Sequence, residues 1–180
     1  SFYDKSSDNE GGFYRKDAVD IVVLDSADAS KGHAVGHTNA GEWLEYTVNV
    51  AKAATYSVEV QMATASENAG VQLFIDDKAV SDTIIATQGE DWSSYSAVQA
   101  KVGELSAGEH VLKMLIVGNY VNIDWLEFCE GDKCEQTTGL HATRVMPTTA
   151  PAAARLRVKD NKLFVEKNGL RFDLTGHRIK

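Results

Sequence analysis

The feature that most limits how this sequence can fold is an alternation of apolar and polar residues with a period of two. The segments EWLEYTVNV (42–50) and TYSVEVQMAT (55–64) both show it, and turn-forming residues separate further segments of the same kind. Successive residues of a β-strand face opposite sides of a sheet, so this pattern is typical of half-buried strands. Residues 1–128 show no convincing helical period. The sequence therefore predicts an all-β fold, an antiparallel β-sandwich of the jelly-roll type.

The composition of the chain changes after about residue 130. Residues 137–155 are rich in Thr, Ala and Pro and contain both prolines of the chain, which is typical of a linker. The turn signals KDNK and EKNGLR follow, and they predict two or three short strands in a tail. We expect three parts: a β-sandwich module at 1–130, a linker at 131–154, and a basic C-terminal module or sorting tail at 155–180.

Charge is unevenly distributed between these parts. Residues 1–150 carry 10 Lys and Arg against 23 Asp and Glu, whereas residues 151–180 carry 8 against 3. An acidic main body argues against nucleic acid as a partner, and the basic tail indicates a separate purpose. The chain contains no run of 18 apolar residues, so we expect no membrane span.

The two cysteines, Cys129 and Cys134, enclose the short turn-like segment CEGDKC. One interpretation is a disulfide, which implies an extracellular setting. The alternative is a pair of free thiols in a cytosolic protein. We favour the disulfide and expect a secreted or cell-surface protein. The chain begins at Ser1 without Met, which we interpret as a fragment or a mature form.

The sequence contains none of the common catalytic motifs. G-x-S-x-G, S-x-x-K and the glycine-rich phosphate loops do not occur. Two carboxylate pairs are spaced by three residues, Glu42 with Glu45 and Asp124 with Glu127. Residues three apart in a strand point to opposite faces, so neither pair provides the facing carboxylates of a glycosidase. We interpret all four as solvated surface acids and predict that the chain is not an enzyme.

The aromatic residues fall into two groups. Trp43 and Trp125 lie inside apolar strands, where we expect core positions. Trp92 instead lies in the polar loop TQGEDWSS, and Tyr14 follows a Gly-Gly turn. Exposed aromatic rings can stack on the C–H face of a pyranose while planar polar groups bind its hydroxyls. Trp92 and Tyr14 are therefore candidates for sugar binding, with Phe13 as a substitute for Tyr14 and packing within the loops as the alternative role.

The segment GNYVNIDWLEF (118–128) predicts a strand with an unusual face. Regular alternation would place Val121, Ile123 and Trp125 on one face, and Asn122, Asp124, Leu126 and Phe128 on the other. The second face is apolar at its end but begins with an amide and a carboxylate. A buried carboxylate is costly unless it is paired, hydrogen-bonded or bound to a metal. Either the strand begins at a solvated edge, or the two polar groups have a function.

Taken in order, these segments resemble carbohydrate-binding module family 6. The resemblance rests on GEWLEYTVNV, the GEDWSSYS loop, the LSAGEHVLKM strand and the final NIDWLEF strand, and it covers roughly residues 11–128. It implies a non-catalytic β-jelly roll attached to plant-wall-degrading enzymes. Members of this family bind xylan, β-glucans and related polysaccharides.

The resemblance also implies specific residues. Tyr14 and Trp92 would sandwich a sugar ring, and the amide of Asn122 would bind its hydroxyls. Glu10 lies nearby in sequence and is added as a further hydroxyl ligand. Many family members carry a structural calcium between the first and last strands, and the resemblance places Asp124 there. In the family an opening strand supplies a second carboxylate for this calcium, and this chain begins at SFYDKSSDNEGG, just after that strand. If the strand is missing, the calcium loses a carboxylate and a sheet edge is bare.

The predicted function is that of a secreted, monomeric, non-catalytic module that holds a covalently linked enzyme on plant cell-wall polysaccharide. The favoured ligand is xylan or xylooligosaccharide. Alternatives are β-glucan or cellooligosaccharide binding, and an adhesion or structural role in a secreted protein. The ending FDLTGHRIK resembles the basic tails of secreted bacterial plant-wall-degrading enzymes.

Overall fold

The computed structural model of the protein describes residues 1–12, 16–24 and 32–134, and the backbone of four later strands. Two antiparallel sheets form the main module. The strands of the first sheet are β1 (Phe2–Tyr3), β4 (Trp43–Val50), β6 (Gly70–Ile75), β7 (Lys78–Ala79), β8 (Ile84–Ile85) and β10 (Gly108–Val117). Those of the second are β2 (Ile21–Val23), β3 (His33–Val35), β5 (Ala54–Ala63), β9 (Ser96–Leu105) and β11 (Asn122–Glu130).

The order of strands makes this a sandwich. The first sheet has the order β1-β4-β10-β6-β7, with β8 also paired to β6, and the second has the order β2-β3-β11-β5-β9. Every pairing between these strands is antiparallel, and neighbours in a sheet are mostly distant in sequence. The predicted all-β sandwich is confirmed. No helix in the described part of the chain is long and apolar enough to cross a membrane.

The core lies between the two sheets. On β5 the side chains of Val58, Val60 and Met62 are fully buried, as their alternation in sequence predicts. They meet buried side chains from the opposite sheet and from the neighbouring strand, namely Val71, Leu73, Ile75, Leu112, Met114, Ile116, Ile123 and Leu126. Complete burial of an aliphatic side chain of this size stabilises the fold by about 1.5–3 kcal/mol. Contact between the two sheets is therefore the main stabilising interaction.

A β-bulge in β11 overturns the predicted faces of this strand. Ile123 pairs with Met62 and Trp125 with Gln61, so one extra residue, Asp124, lies between consecutive positions of β5. The bulge shifts the alternation by one residue. Leu126 therefore joins Ile123 on the inner face, and it does not share the face of Asn122.

The predicted core positions of two tryptophans are wrong. Trp125 follows the bulge and is only partly buried, outside the core between the sheets. Trp43 is also only partly buried, and its ring lies 5.1 Å from the Nζ atom of Lys113, a cation–π contact. Both rings therefore lie at the surface of their sheets.

The first residues of the chain form a short strand next to β4, so the bare edge expected for a missing opening strand is covered in part. Phe2 and Tyr3 pair with Leu44 and Trp43 as the short strand β1. The amide of Glu45 additionally donates to the carbonyl of Ser1 at 2.8 Å. Two residues of strand are enough to cover this end of β4.

The C-terminal segment forms a separate antiparallel sheet. Its strands are β12 (Arg155–Lys159), β13 (Lys162–Lys167), β14 (Leu170–Asp173) and β15 (Arg178–Ile179), paired in chain order. This is one strand more than the upper number that the turn signals predict. Residues 135–154, which form most of the predicted linker, lie outside the described residues. The predicted boundaries at 130 and 154 stay predictions.

A disulfide joins Cys129 to Cys134 at the end of β11. Cys134 is buried, and its backbone is held against β9 by the side chain of Gln99, which donates to the Cys134 carbonyl and accepts from its amide. The bond therefore fixes the turn that follows β11 to the outer face of the second sheet.

Removing the disulfide should lower the stability of the module. Replacing both cysteines, Cys129→Ser with Cys134→Ser, should lower the free energy of unfolding by about 2 kcal/mol, because a short closed loop no longer restricts the unfolded chain. Urea denaturation of the two proteins measures this difference. Thiol titration of the unfolded wild type should find no free thiol before reduction and two afterwards. Two titratable thiols before reduction would contradict the bond.

Candidate functional site

Loops from both sheets meet at one end of the sandwich, which we call the rim. It comprises residues 36–42, 64–69, 86–95 and 118–121, which connect strands whose ends lie side by side. Backbone hydrogen bonds join these loops. The Gly89 amide donates to the Thr64 carbonyl at 2.8 Å, and the Tyr120 amide donates to the Thr38 carbonyl at 2.7 Å. The rim is therefore a continuous, hydrogen-bonded surface.

Trp92 lies in the rim loop 86–95 with 50% of its surface exposed. The adjacent carboxylate of Asp91 folds this loop. It accepts from the amides of Ser93 and Ser94 at 2.8 and 2.9 Å, and from both of their hydroxyls. These hydrogen bonds, led by that of the Ser93 amide, lower the pKa of Asp91. Trp92 is therefore held on an ordered turn, although its side chain faces solvent.

Asn122 is the first residue of β11 and contacts the same loop. Its side-chain amide donates to the backbone carbonyl of Trp92 at 2.9 Å. Burial raises the pKa of the neighbouring Tyr95 hydroxyl to about 12, and a hydrogen bond with Asn122 opposes this shift only in part. The structure thus brings together two of the predicted sugar-binding residues. Because one N–H of Asn122 holds the Trp92 backbone and the side chain also bonds Tyr95, only part of its hydrogen-bonding capacity remains for a ligand.

Glu10 lies next to the rim loop 36–42. Its Oε2 atom is 3.9 Å from the Nδ1 atom of His37, and both side chains are about half exposed. The Glu10 backbone amide donates to the carboxylate of Asp20. Glu10 is therefore placed at the edge of the rim, where its carboxylate faces a histidine that the sequence interpretation did not include.

Tyr14 lies outside the described residues, but the two ends of its loop are defined. The side-chain oxygen of Asn9 accepts from the amides of Gly12 at 2.9 Å and Ile21 at 3.1 Å. Gly11 lies so close to this pairing that an added Cβ would be 1.9 Å from the Ile21 carbonyl oxygen. Only glycine fits there. The loop that carries Tyr14 is thus closed at its base beside β2.

Asp20 is a buried carboxylate that the sequence interpretation missed. It is 2% exposed, and burial raises its pKa to about 6. The hydrogen bond from the Glu10 amide opposes this rise, whereas the charges of Asp4 and Glu10 add to it. The only signal in sequence is an acid within the apolar segment AVDIVVL. Asp20 connects the base of the Tyr14 loop to the rest of the module.

One of the four paired carboxylates, Glu42, does not lie where the sequence interpretation placed it. It is 4% exposed, so it is not a solvated surface acid. Its oxygens accept from the backbone amides of Lys5 at 3.1 Å and Asn39 at 2.7 Å. Such bonds make a buried carboxylate stable. Glu42 therefore organises the N-terminal segment and the rim loop 36–42.

The predicted calcium ligand Asp124 lies at the bulge of β11. A calcium ion takes six to eight oxygen ligands, commonly from several carboxylates. Within the described residues, no group of three or more His, Cys, Asp or Glu side chains is arranged to hold a metal ion. The described residues therefore do not by themselves show a calcium site at Asp124. The assignment stays a prediction.

The fold and the rim define a class of protein: a β-sandwich binding module with an exposed aromatic ring and an amide on one loop surface. The model of carbohydrate binding module family 6 matches residues 14–130. The chain belongs to this family, and the resemblance described from its sequence is confirmed. Comparison with curated protein sequences found no significant match.

Several solved structures share this fold. A family 6 module from Clostridium cellulolyticum, in complex with xylose, has a TM-score of 0.54 and 17% identity, covering 72% of this chain and 92% of that one. A module of Cellvibrio mixtus lichenase 5A, in complex with cellotriose, has a TM-score of 0.50 and 26% identity, covering 59% and 83%. A Bacillus subtilis arabinoxylan arabinofuranohydrolase of glycoside hydrolase family 43 has a TM-score of 0.53 and 16% identity, covering 62% and 25%.

The raised pKa of Asp20 predicts a pH dependence of stability. Its folded-state pKa is about 6, against about 3.9 in an unfolded chain. The folded protein thus binds more protons between these values, and the contribution of Asp20 to stability is lost as pH rises through about 6. Asp20→Asn should raise the free energy of unfolding at pH 7.5 by about 1–3 kcal/mol and change it little at pH 4. Urea denaturation at both pH values measures this.

A matched control is Asp91→Asn. The pKa of Asp91 is lowered, so its contribution is present above the ordinary pKa of an aspartate and is lost in acid. This variant should lose stability at pH 7.5 and less at pH 3. A loss of stability in Asp20→Asn that is larger at pH 7.5 than at pH 4 would show that the charge of Asp20 is required.

Proposed function

We propose that this module binds plant cell-wall polysaccharide at the rim, with xylan or its oligosaccharides as the favoured ligand. One observation carries the proposal. Trp92 presents a half-exposed ring on a turn that Asp91 orders, and the amide of Asn122 holds the backbone of the same residue. A planar ring and a planar amide at one surface are the groups that recognise the C–H face and the hydroxyls of a sugar.

The Trp92 loop is already ordered, so a sugar should bind there at a low entropic cost. Ordering a flexible loop on binding consumes part of the interaction free energy. Here the Asp91 hydrogen bonds and the Asn122 contact already hold the loop without a ligand. Tyr14 would stack on the opposite face of the ring, and Glu10 would bind a further hydroxyl. The closed base of the Tyr14 loop supports this arrangement.

The identity of the sugar is the finer part of the proposal. The related module from Clostridium cellulolyticum was solved with xylose and the one from Cellvibrio mixtus with cellotriose. Cellooligosaccharides and β-glucans are therefore the second candidate ligands. The acidic charge of residues 1–150 favours a neutral polysaccharide over a polyanion.

The proposal includes a linked catalytic domain and a secreted location. In the Bacillus subtilis arabinofuranohydrolase the matching part is only a quarter of the chain, so a domain of this fold occurs there beside other domains. The disulfide between Cys129 and Cys134 supports an oxidising, extracellular setting. An adhesion or structural role in a secreted protein is the alternative.

Calorimetric titration with xylohexaose and cellohexaose tests the proposal. We expect dissociation constants of about 10 μM to 1 mM, as for a shallow site with few stacking contacts, and tighter binding of xylohexaose. Trp92→Ala should weaken binding by at least about tenfold, whereas Trp92→Phe should retain part of it. Absence of heat with both sugars, together with no retention in affinity gels of plant polysaccharides, would refute sugar binding.

The role of the ordered turn can be tested without touching the ring. Asp91→Ala removes the carboxylate that accepts from Ser93 and Ser94 and leaves Trp92 in place. We expect binding to weaken about threefold to tenfold, because the loop must then be ordered on binding. Asp77→Ala, which removes an exposed acid on the β6–β7 turn, is the control and should bind like the wild type. Equal affinities for Asp91→Ala and the wild type would show that preorganisation is not needed.

A further inference from the structure

Tyr120 is a second exposed aromatic residue on the rim. Its exposed fraction is 50%, the same as that of Trp92. It lies in the loop 118–121, immediately before β11. Single exposed aromatic residues are common on protein surfaces and need no explanation. The backbone of Tyr120 is what makes this one different.

The backbone of Tyr120 adopts a conformation that disfavours tyrosine. Its φ is +63°, in the left-handed region that glycine and asparagine adopt at lower cost than residues with larger side chains. The two preceding residues are Gly118 and Asn119, so suitable residue types are present in the loop but not at this position. Strained residues of this kind concentrate at binding sites, where the surrounding structure holds them in place.

Hydrogen bonds to two other rim loops hold this conformation. The Tyr120 amide donates to the Thr38 carbonyl at 2.7 Å, and the Tyr120 carbonyl accepts from the Thr64 hydroxyl at 2.8 Å. Thr38 also bonds Val121, the residue that follows Tyr120, because the Thr38 hydroxyl accepts from the Val121 amide at 3.0 Å. The position of the Tyr120 backbone is therefore determined by buried groups outside its own loop.

The same groups connect Tyr120 to the Trp92 loop. Thr64 is fully buried, and its carbonyl accepts from Gly89 of that loop at 2.8 Å. Tyr120 also precedes Asn122 by two residues, so their Cα atoms lie within about 7 Å of each other. Asn122 in turn bonds the Trp92 backbone. Hydrogen bonds thus connect Tyr120, Asn122 and Trp92 within one part of the rim.

From this we infer that Tyr120 is a second stacking residue, which binds a sugar unit next to the one at Trp92 in the same polysaccharide chain. The inference rests on the proposed function and extends it. The module would then recognise an oligosaccharide of two or more units, and Tyr120 would contribute to affinity only when the ligand reaches beyond the unit at Trp92. A backbone that is already held suits this purpose, because less of its conformational freedom is lost on binding.

Tyr120→Asn is the decisive variant, because asparagine tolerates the left-handed conformation and lacks the ring. The melting temperature should be unchanged or higher. We expect about fivefold weaker binding of xylohexaose or cellohexaose, whichever the wild type prefers, in calorimetric titration. Binding of the matching monosaccharide, xylose or glucose, should change less than twofold in an NMR titration. Tyr120→Phe keeps the ring and should bind the hexasaccharide like the wild type.

The outcomes separate this inference from the proposed function. If the wild type binds neither hexasaccharide, the proposed function fails and the inference fails with it. If the wild type binds and Trp92→Ala abolishes binding, but Tyr120→Asn binds the hexasaccharide like the wild type, only the inference is refuted. If Tyr120→Phe and Tyr120→Asn lose the same affinity for the hexasaccharide, Tyr120 binds through its hydroxyl and not by stacking, which refutes the inference. An equal loss for monosaccharide and hexasaccharide would place Tyr120 at the same sugar unit as Trp92.

Discussion

The position of β5, paired with β11 on one side and β9 on the other, is the constraint on which the rest of this structure depends. Its inward side chains are fully buried between the two sheets, so a shift of one residue would turn them outward and expose the core. The register is thereby fixed on both sides of the strand. Because β5 ends at Ala63, opposite Asn122, and continues into Thr64, the same register also sets the positions of the rim residues.

Thr64 shows how the core and the rim are connected. It directly follows β5 and is itself fully buried, yet its hydroxyl and carbonyl bind two separate rim loops. Binding residues on loops are useful when a rigid scaffold positions them. In this module the scaffold extends to the loops themselves, since buried threonines and the Asp91 carboxylate satisfy their backbone groups. The exposed rings are therefore carried by backbone that is not free to move independently.

Much of the fold could be predicted from the sequence because alternation with a period of two directly reflects burial. The inward residues of β5 are the clearest case. The alternation failed in β11, where the bulge at Asp124 changes which residues face inward. No residue in NIDWLEF marks the bulge, since it arises from pairing with β5 and not from local preference. For the same reason Trp125, which looks like a core residue in sequence, lies outside the core.

The candidate site was predictable in part. The polar surroundings of Trp92 and the polar start of β11 were visible in the sequence, and the structure brings these two residues into contact. The buried acids Asp20 and Glu42 were not recognisable, because their partners are backbone amides that come close only after folding. Tyr120 gave no signal either, because the sequence shows neither its backbone angle nor its exposure.

The sequence by itself therefore determined the class of fold, the family and the residue types available for binding, since these depend on local patterns of burial and on motifs in order. The tertiary structure decided which side chains share a surface. Strand register, the bulge and the hydrogen bonds between rim loops all depend on contacts between residues far apart in the chain. Those contacts form only when the two sheets pack together, and for that reason no local stretch of sequence contains them.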